Sequence, residues 1–356
     1  MNSFHKANDF RVSINGTKLK NNLPFVSSGI PSLDYVIEED ILGNYSRVLT
    51  KYFLAEGVTC KHGLLVVSAD ENPTEIVHEL PQPCTASSDD EIHTASRGVD
   101  KMKIAWRYEG LSQVESSFGS NTNFGHHFDL SKHIDADTIK NSNIRYCDPN
   151  IDKHDITGFQ NNLYSNLINV IKDTISQEEY QQRAKQNKNM LRISIQSLGS
   201  PIWMAMDCDE TGVGMRYGHD LIKFIYCLRV LLRDTNAVAF VTLPSHLFDD
   251  DNIMKRILYT VHNAVKIESF AGSSRETNPL YKDYHGLFHI TKLSTPFSLV
   301  PFIPPSLDLA FKLKRKKFLI EKLHLPPELQ ESSEREQDDI TAIPTCGGFK
   351  KKDIDF

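Results

Sequence analysis

Two hydrophobic periods alternate along this chain. Between 45 and 57, Val48, Leu49, Tyr52, Phe53 and Ala55 recur at helical spacing, and Gly57 reads as a natural stop. The pattern predicts an amphipathic helix there. Gly63-Leu64-Leu65-Val66-Val67-Ser68-Ala69 follows as a short continuous apolar run, the composition of a strand covered on both faces. It ends in Asp70-Glu71-Asn72-Pro73, a strand-to-helix turn with proline at the start of a short helix over 73–80. Upstream, Gly29-Ile30-Pro31-Ser32-Leu33-Asp34 carries turn chemistry.

The alternation continues downstream. Phe159, Leu163, Leu167 and Ile171 are spaced by four and predict a helix over 155–174; further helices are expected over 217–234 and 246–262. Apolar or alternating runs predict strands at 101–108, 144–147, 190–195, 237–243, 264–270 and 286–293. Leu307, Leu309, Phe311 and Leu313 share one parity and Lys312, Lys314 and Lys316 the other, so a final strand is expected there. Strands that are uniformly apolar and alternate with helices imply an α/β fold: a mostly parallel twisted sheet with helices on both faces. The polar residues 1–22 read as a flexible tail, 23–329 as one domain, and 330–356, acidic first and basic last, as a disordered tail.

Composition narrows the function classes. At a net charge of −6 the whole molecule is no polycation, so nucleic-acid contact would need a local basic patch. Cys60, Cys84, Cys147, Cys208, Cys227 and Cys346 form no CxxC pair and lie near no histidine at zinc-finger spacing, so reduced thiols are expected in place of a disulfide framework. No apolar run approaches the ~20 residues of a membrane span. The N-terminus has no apolar signal core. An intracellular protein without membrane contact is the expectation.

The helix over 45–57 sits where a phosphate-binding loop would lead into a helix. A Walker A loop needs glycines, a lysine and a Ser/Thr, because backbone N–H groups and a cation must cradle phosphates. The chain instead has Glu38-Glu39-Asp40 before Gly43 and Ser46, and three carboxylates repel a triphosphate. The strand over 190–195 leads into Gln196-Ser197-Leu198-Gly199 where a magnesium-binding aspartate would stand. Glu38, Glu39, Asp40, Ser46 and Ser197 thus read as the remnant of a nucleotide site, with neither catalysis nor a cofactor expected. His126-His127 and His133 are not at ligand spacing on a defined element, so no metal is expected.

Two stretches suit nucleic acid. Lys312, Lys314, Arg315, Lys316 and Lys317 crowd cations that fit phosphate contact, or equally a strand edge kept soluble by lysines. The loop over 272–286 offers Arg275, Lys282, Tyr281 and Tyr284 for phosphates and bases. A loop packed by its own tyrosines and a subunit interface fit it as well.

Gly29 to Asp34, Lys51-Tyr52-Phe53-Leu54-Ala55-Glu56-Gly57, Lys103-Ile104-Ala105-Trp106-Arg107-Tyr108, the run from Ile193 to Pro201, Asn278 to Gly286, and Leu309 to Phe318 occur in one order. In these motifs the chain resembles the family of the fourth subunit of the Elongator complex, over about residues 27–329. The resemblance implies a RecA-like fold without a working phosphate loop. It also implies a heterohexameric ring with the fifth and sixth subunits, two copies of each, docked on the catalytic Elongator core. Such a ring binds tRNA in support of wobble-uridine modification, in the cytoplasm and also the nucleus. On this reading Arg275, Lys282, Tyr284, Lys312, Lys314 and Arg315 are the tRNA-binding candidates. An active RecA-type ATPase and a scaffold without RNA contact are the alternatives. One departure stands out: Ile37 runs directly into Glu38, where relatives carry a Gly-rich turn and an apolar strand. The first strand of the sheet is therefore expected to be shortened, with Tyr35-Val36-Ile37 serving, or missing.

Overall fold

The computed structural model describes residues 14–20, 23–30, 43–84, 125–148, 159, 161–182, 188–203, 213–248, 250–294 and 308–323. The chain divides into two compact units, Met1–Lys322 and Leu323–Phe356, and all but Leu323 of the second lies outside the described residues. The first unit follows.

Ordered chain begins before Leu23. β1 (Thr17–Lys20), inside the stretch expected to be a loose tail, pairs antiparallel with β2 (Leu23–Val26) at the start of the expected domain. Ile14 is buried, and Gly16, at φ +69°, lets the backbone close over Cys60, whose Sγ a Cβ there would strike. The segment expected to supply a first strand, Tyr35 to Ile37, lies outside the described residues, as do Glu38, Glu39 and Asp40.

α1 (Gly43–Thr59) runs straight through Gly57. That glycine is a point of close approach, because a Cβ would meet the Leu64 and Arg192 side chains of the sheet below. The helix ends two residues later. Lys61 turns left-handed at φ +61° and the His62 N–H closes on Gly57 O at 2.9 Å. β3 (Gly63–Ser68) is buried along its whole length. Asn72 caps α2 (Pro73–His78) through the Thr74 N–H at 3.0 Å. The prolines after it do more than stop a helix: β4 (Pro81–Pro83) pairs with β5 (Phe128–His133). α3 (Ala136–Lys140) and β6 (Ile144–Cys147) follow.

α4 (Asn162–Ile175) starts later than 155, at an Asn161 cap that accepts the Leu163 N–H at 2.8 Å. Next come β7 (Leu191–Gln196), α5 (Val213–Leu232) and β8 (Ala237–Val241). Ser245–Leu247 make a 3-10 turn, and α6 (Asp251–Thr260) begins only at the Asp250 cap. β9 (Ala264–Ser269) and β10 (Gly286–Lys292) match expectation. The lysine-rich stretch does not form one strand. β11 (Leu309–Leu313) turns at Lys314–Lys317 into β12 (Phe318–Lys322), with Leu313 facing Phe318.

The central sheet is parallel, in the order β6-β3-β7-β8, with helices on both faces. Alternation along β3 divides the core: Leu64 and Val66 face Leu49, Phe53 and Val58 of α1, while Leu65 and Val67 join Tyr164 and Leu167 of α4 and Phe224 and Leu228 of α5. β9 to β12 form a second, antiparallel sheet in the order β12-β11-β10-β9. Its Ile267, Phe288, Phe311 and Ile320 share the core of α1. One helix thus covers both sheets. Tyr45 meets Phe311 edge-on at 4.7 Å, and Tyr52 Oη accepts the buried Phe318 N–H at 3.2 Å.

Among the described residues β8 pairs only with β7 and β9 only with β10, so the sheets share no ladder. β8, though uniformly apolar, is only half-buried over Ala237–Phe240. A cleft of about 490 Å³ lies between β9, α6 and the segment Leu243–Phe248. No helix among the described residues is long and apolar enough to cross a membrane.

The last turn of α1 covers two buried charges. Arg192, the second residue of β7, is fully buried: its Nε donates to His62 Nδ1 at 3.0 Å, its Nη1 to Phe53 O at 3.1 Å, and its guanidinium lies 4.9 Å over the Phe53 ring. Glu56, also buried, takes the Cys60 thiol at 3.3 Å. Burial, then the Glu56 charge and hydrogen bond, pushes Cys60 up to about 12. Burial, then the Arg192 cation, pushes His62 down to about 4, and its Nε2 bonds Asn15 O at 2.6 Å. His62 therefore stands neutral with its proton on Nε2. Arg192→Met should strand His62 Nδ1 and Phe53 O and lower stability by about 2–4 kcal/mol in equilibrium denaturation. A loss below about 1 kcal/mol would contradict this reading.

Candidate functional site

The carboxyl ends of parallel strands are where an α/β sheet usually holds a ligand. Here those ends are tied to one another. Glu71, after β3, accepts Gln196 Nε2 at 3.0 Å and pairs with Arg47 of α1 at 2.7 Å. Asp70 accepts the Ser200 hydroxyl at 2.9 Å. Ser197 sits at φ +50°, with its N–H donated to Thr242 Oγ1 at 2.7 Å. Ser46 is buried on α1. Of the predicted remnant, the structure therefore places Ser46 inside the core and Ser197 in a strained turn at the end of β7. Arg47 and Lys51, cations on the same helix, are held by Glu71 and Glu79.

The basic residues form a second locality. The β11–β12 hairpin turns through Lys314 and Lys317, whose backbones bond each other, and exposes Lys314, Arg315 and Lys316. The turn lies against β5, since the Leu130 N–H donates to Lys316 O at 2.9 Å. The loop between β9 and β10 reaches the same hairpin: Leu313 N–H donates to His285 Nδ1 at 3.3 Å, and Lys312 Nζ stands 4.4 Å over the Tyr284 ring. Lys282 is exposed nearby on that loop.

Two predicted contacts are already engaged within the chain. Arg275 pairs with Glu268 at 2.9 Å, and Lys312 with Glu321 at 2.9 Å. Burial works against the Lys312 charge, yet the Glu321 hydrogen bond and charge outweigh it and hold its pKa above the ordinary value. Lys317 goes the other way: burial, then the Lys314 cation, lowers it. Among the described residues the exposed cations of the patch are thus Lys282, Lys314 and Arg315, with Lys316, which belongs to the same basic run though not to the tRNA-binding candidates. Sequence reasoning missed Glu268 and Glu321: a loop must fold back on β9 to bring Arg275 to Glu268, and Glu321 meets Lys312 only once β12 reverses along β11.

Fold and strand ends together define an α/β protein whose nucleotide edge is closed by internal hydrogen bonds and ion pairs. The PAXNEB protein family matches residues 11–356. Elongator complex protein 4 of Danio rerio is 38% identical over 349 residues, covering 91% of this chain and 87% of its own. The Homo sapiens protein of that name is 39% identical over 381 residues, covering 97% and 89%, and the Drosophila melanogaster one 32% over 438, covering 96% and 97%. The chain belongs to this family, that of Elongator complex protein 4. Alignments of 381 and 438 positions exceed its 356 residues, so those two relatives carry residues that it lacks. The flagellar accessory protein FlaH of Methanocaldococcus jannaschii aligns at 13% identity over 80% of this chain and 87% of its own, with a TM-score of 0.33, too distant to argue from.

If Ser197 serves the backbone turn and holds no phosphate, Ser197→Gly should relieve the left-handed strain. Thermal or denaturant unfolding should then show unchanged stability, or a gain of up to about 1 kcal/mol. A clear destabilisation would show that the side chain itself is needed.

Proposed function

We propose that this chain is a non-catalytic, RecA-like subunit of the Elongator complex that helps present tRNA for wobble-uridine modification. Family membership supports its place in that complex. On this reading it assembles with the fifth and sixth subunits into a ring with two copies of each, and the ring docks on the catalytic core. Catalysis belongs elsewhere: at the strand ends Glu71, Asp70 and the Ser197 amide are all engaged within the chain, and Arg47 is held by Glu71.

The observation that carries the RNA role is the exposed turn Lys314-Arg315-Lys316 beside the loop bearing Lys282 and Tyr284. Cations held out on a tight hairpin suit a phosphate backbone, and a neighbouring aromatic ring suits an unstacked base. The ion pairs at Arg275 and Lys312 favour a second reading, in which the surface is a protein interface without RNA.

The two readings separate on the assembled complex. Fluorescence titration of tRNA against the ring co-expressed with its partner subunits should give an affinity that falls steeply with salt. Each lost phosphate contact lowers the slope of log K against log salt by about 0.7–0.9. Changing Lys282, Lys314 and Arg315 together to Ser should therefore reduce it by about 2, whereas Arg275→Ser should change it little. An unchanged slope in the triple variant would favour the interface reading.

A further inference from the structure

One cluster of donors lies outside both localities. Glu56 in the last turn of α1, Cys60 four residues on, and His126 just ahead of β5 bring a carboxylate oxygen, a sulfur and a ring nitrogen within 4.8 Å of one another. Cys60 Sγ is 3.3 Å from Glu56 Oε1, and His126 Nδ1 is 3.1 Å from that same oxygen. Donors bound to one tetrahedral zinc ion at about 2.0–2.3 Å stand about 3.3–3.7 Å apart, so these side chains already span nearly the right edges.

The surroundings orient the set. The His126 backbone N–H donates to Glu56 Oε2 at 3.1 Å, which turns Oε1 toward the sulfur and the ring. Gly125, at φ +86°, makes the turn that delivers His126. Gly16 packs on Cys60, while the His126 side chain is 49% exposed, so the set reaches solvent at His126.

We propose that Glu56, Cys60 and His126 form a zinc-binding site, with solvent or a partner's donor in the fourth position. Thiolate and imidazole select zinc over magnesium or calcium. Binding exchanges one species for another: the ion takes the place of the Cys60 thiol proton, which leaves to solvent, and His126 coordinates as neutral imidazole. Exchanging the thiol proton for the dication raises the charge of the site by one, from that of the lone Glu56 carboxylate to zero, because carboxylate and thiolate then balance the ion. The ion would staple the end of α1 to the approach to β5, a connection across 70 positions of sequence.

The test uses the full chain with its partner subunits. Zinc content after equilibration and dialysis is measured by elemental mass spectrometry, and cobalt(II) titration is followed for the thiolate-to-metal charge-transfer band. Zinc equimolar with the chain and a cobalt band are expected in the wild type. Cys60→Ser should abolish the band, and His126→Ala, at a half-exposed position, should weaken binding by more than about tenfold. His127→Ala, at the exposed neighbour, should bind as wild type. Absence of both stoichiometric zinc and the band would overturn the proposal, as would equal affinity in the wild type, Cys60→Ser and His126→Ala.

Discussion

Two opposite charges lie beneath the last turn of α1, shut away from water. Arg192 enters from the start of β7 and Glu56 from the helix, and the neutral side chains of Cys60 and His62 lie beside them. A lone buried ion of either sign costs several kcal/mol; here Arg192 is held by His62 Nδ1 and Phe53 O, Glu56 by Cys60 and His126, and each charge is offset by the opposite one nearby. Those contacts fix the seating of α1. Gly57 must lie directly over Arg192, and Phe53 must both stack on the guanidinium and offer its carbonyl.

Much follows from where α1 sits. It roofs the parallel sheet through Leu64 and Val66 and the antiparallel sheet through Phe311 and Phe318. The two sheets share no hydrogen-bond ladder among the described residues, so this common roof and its core are what join them. In a phosphate-binding protein the start of such a helix would face a nucleotide. Here its cations, Arg47 and Lys51, are spent on Glu71 and Glu79, and the adjacent strand ends are tied to each other. The antiparallel sheet presents an exposed basic hairpin. Holding the fold together and offering charge to a partner are thus tasks of different elements.

The parts legible in the sequence were those set by local pattern. Four-residue spacing of Leu163, Leu167 and Ile171 announced α4, and the run Leu64 to Val67 announced a strand buried on both faces. What failed depended on distant partners. Gly57 looked like a stop because close approach to a sheet leaves no mark in local spacing. The lysines at 314–317 looked like one parity of a strand, since nothing before Phe318 says that the chain reverses. The neutralisation of Arg275 and Lys312 depends on a loop folding back on β9 to reach Glu268 and on the β11–β12 reversal that brings up Glu321. Arg192 passed as an ordinary strand residue, although a cation amid Leu191, Ile193 and Ile195 signals a buried counter-charge.

A double-mutant cycle between Glu56 and Arg192, with Glu56→Gln, Arg192→Met and the double variant compared by denaturant unfolding in chelator, measures that dependence directly. Each single change should be costly and the double change much less than their sum, a coupling of about 1 kcal/mol or more. Additive losses, with coupling near zero, would contradict the central place given to these two charges.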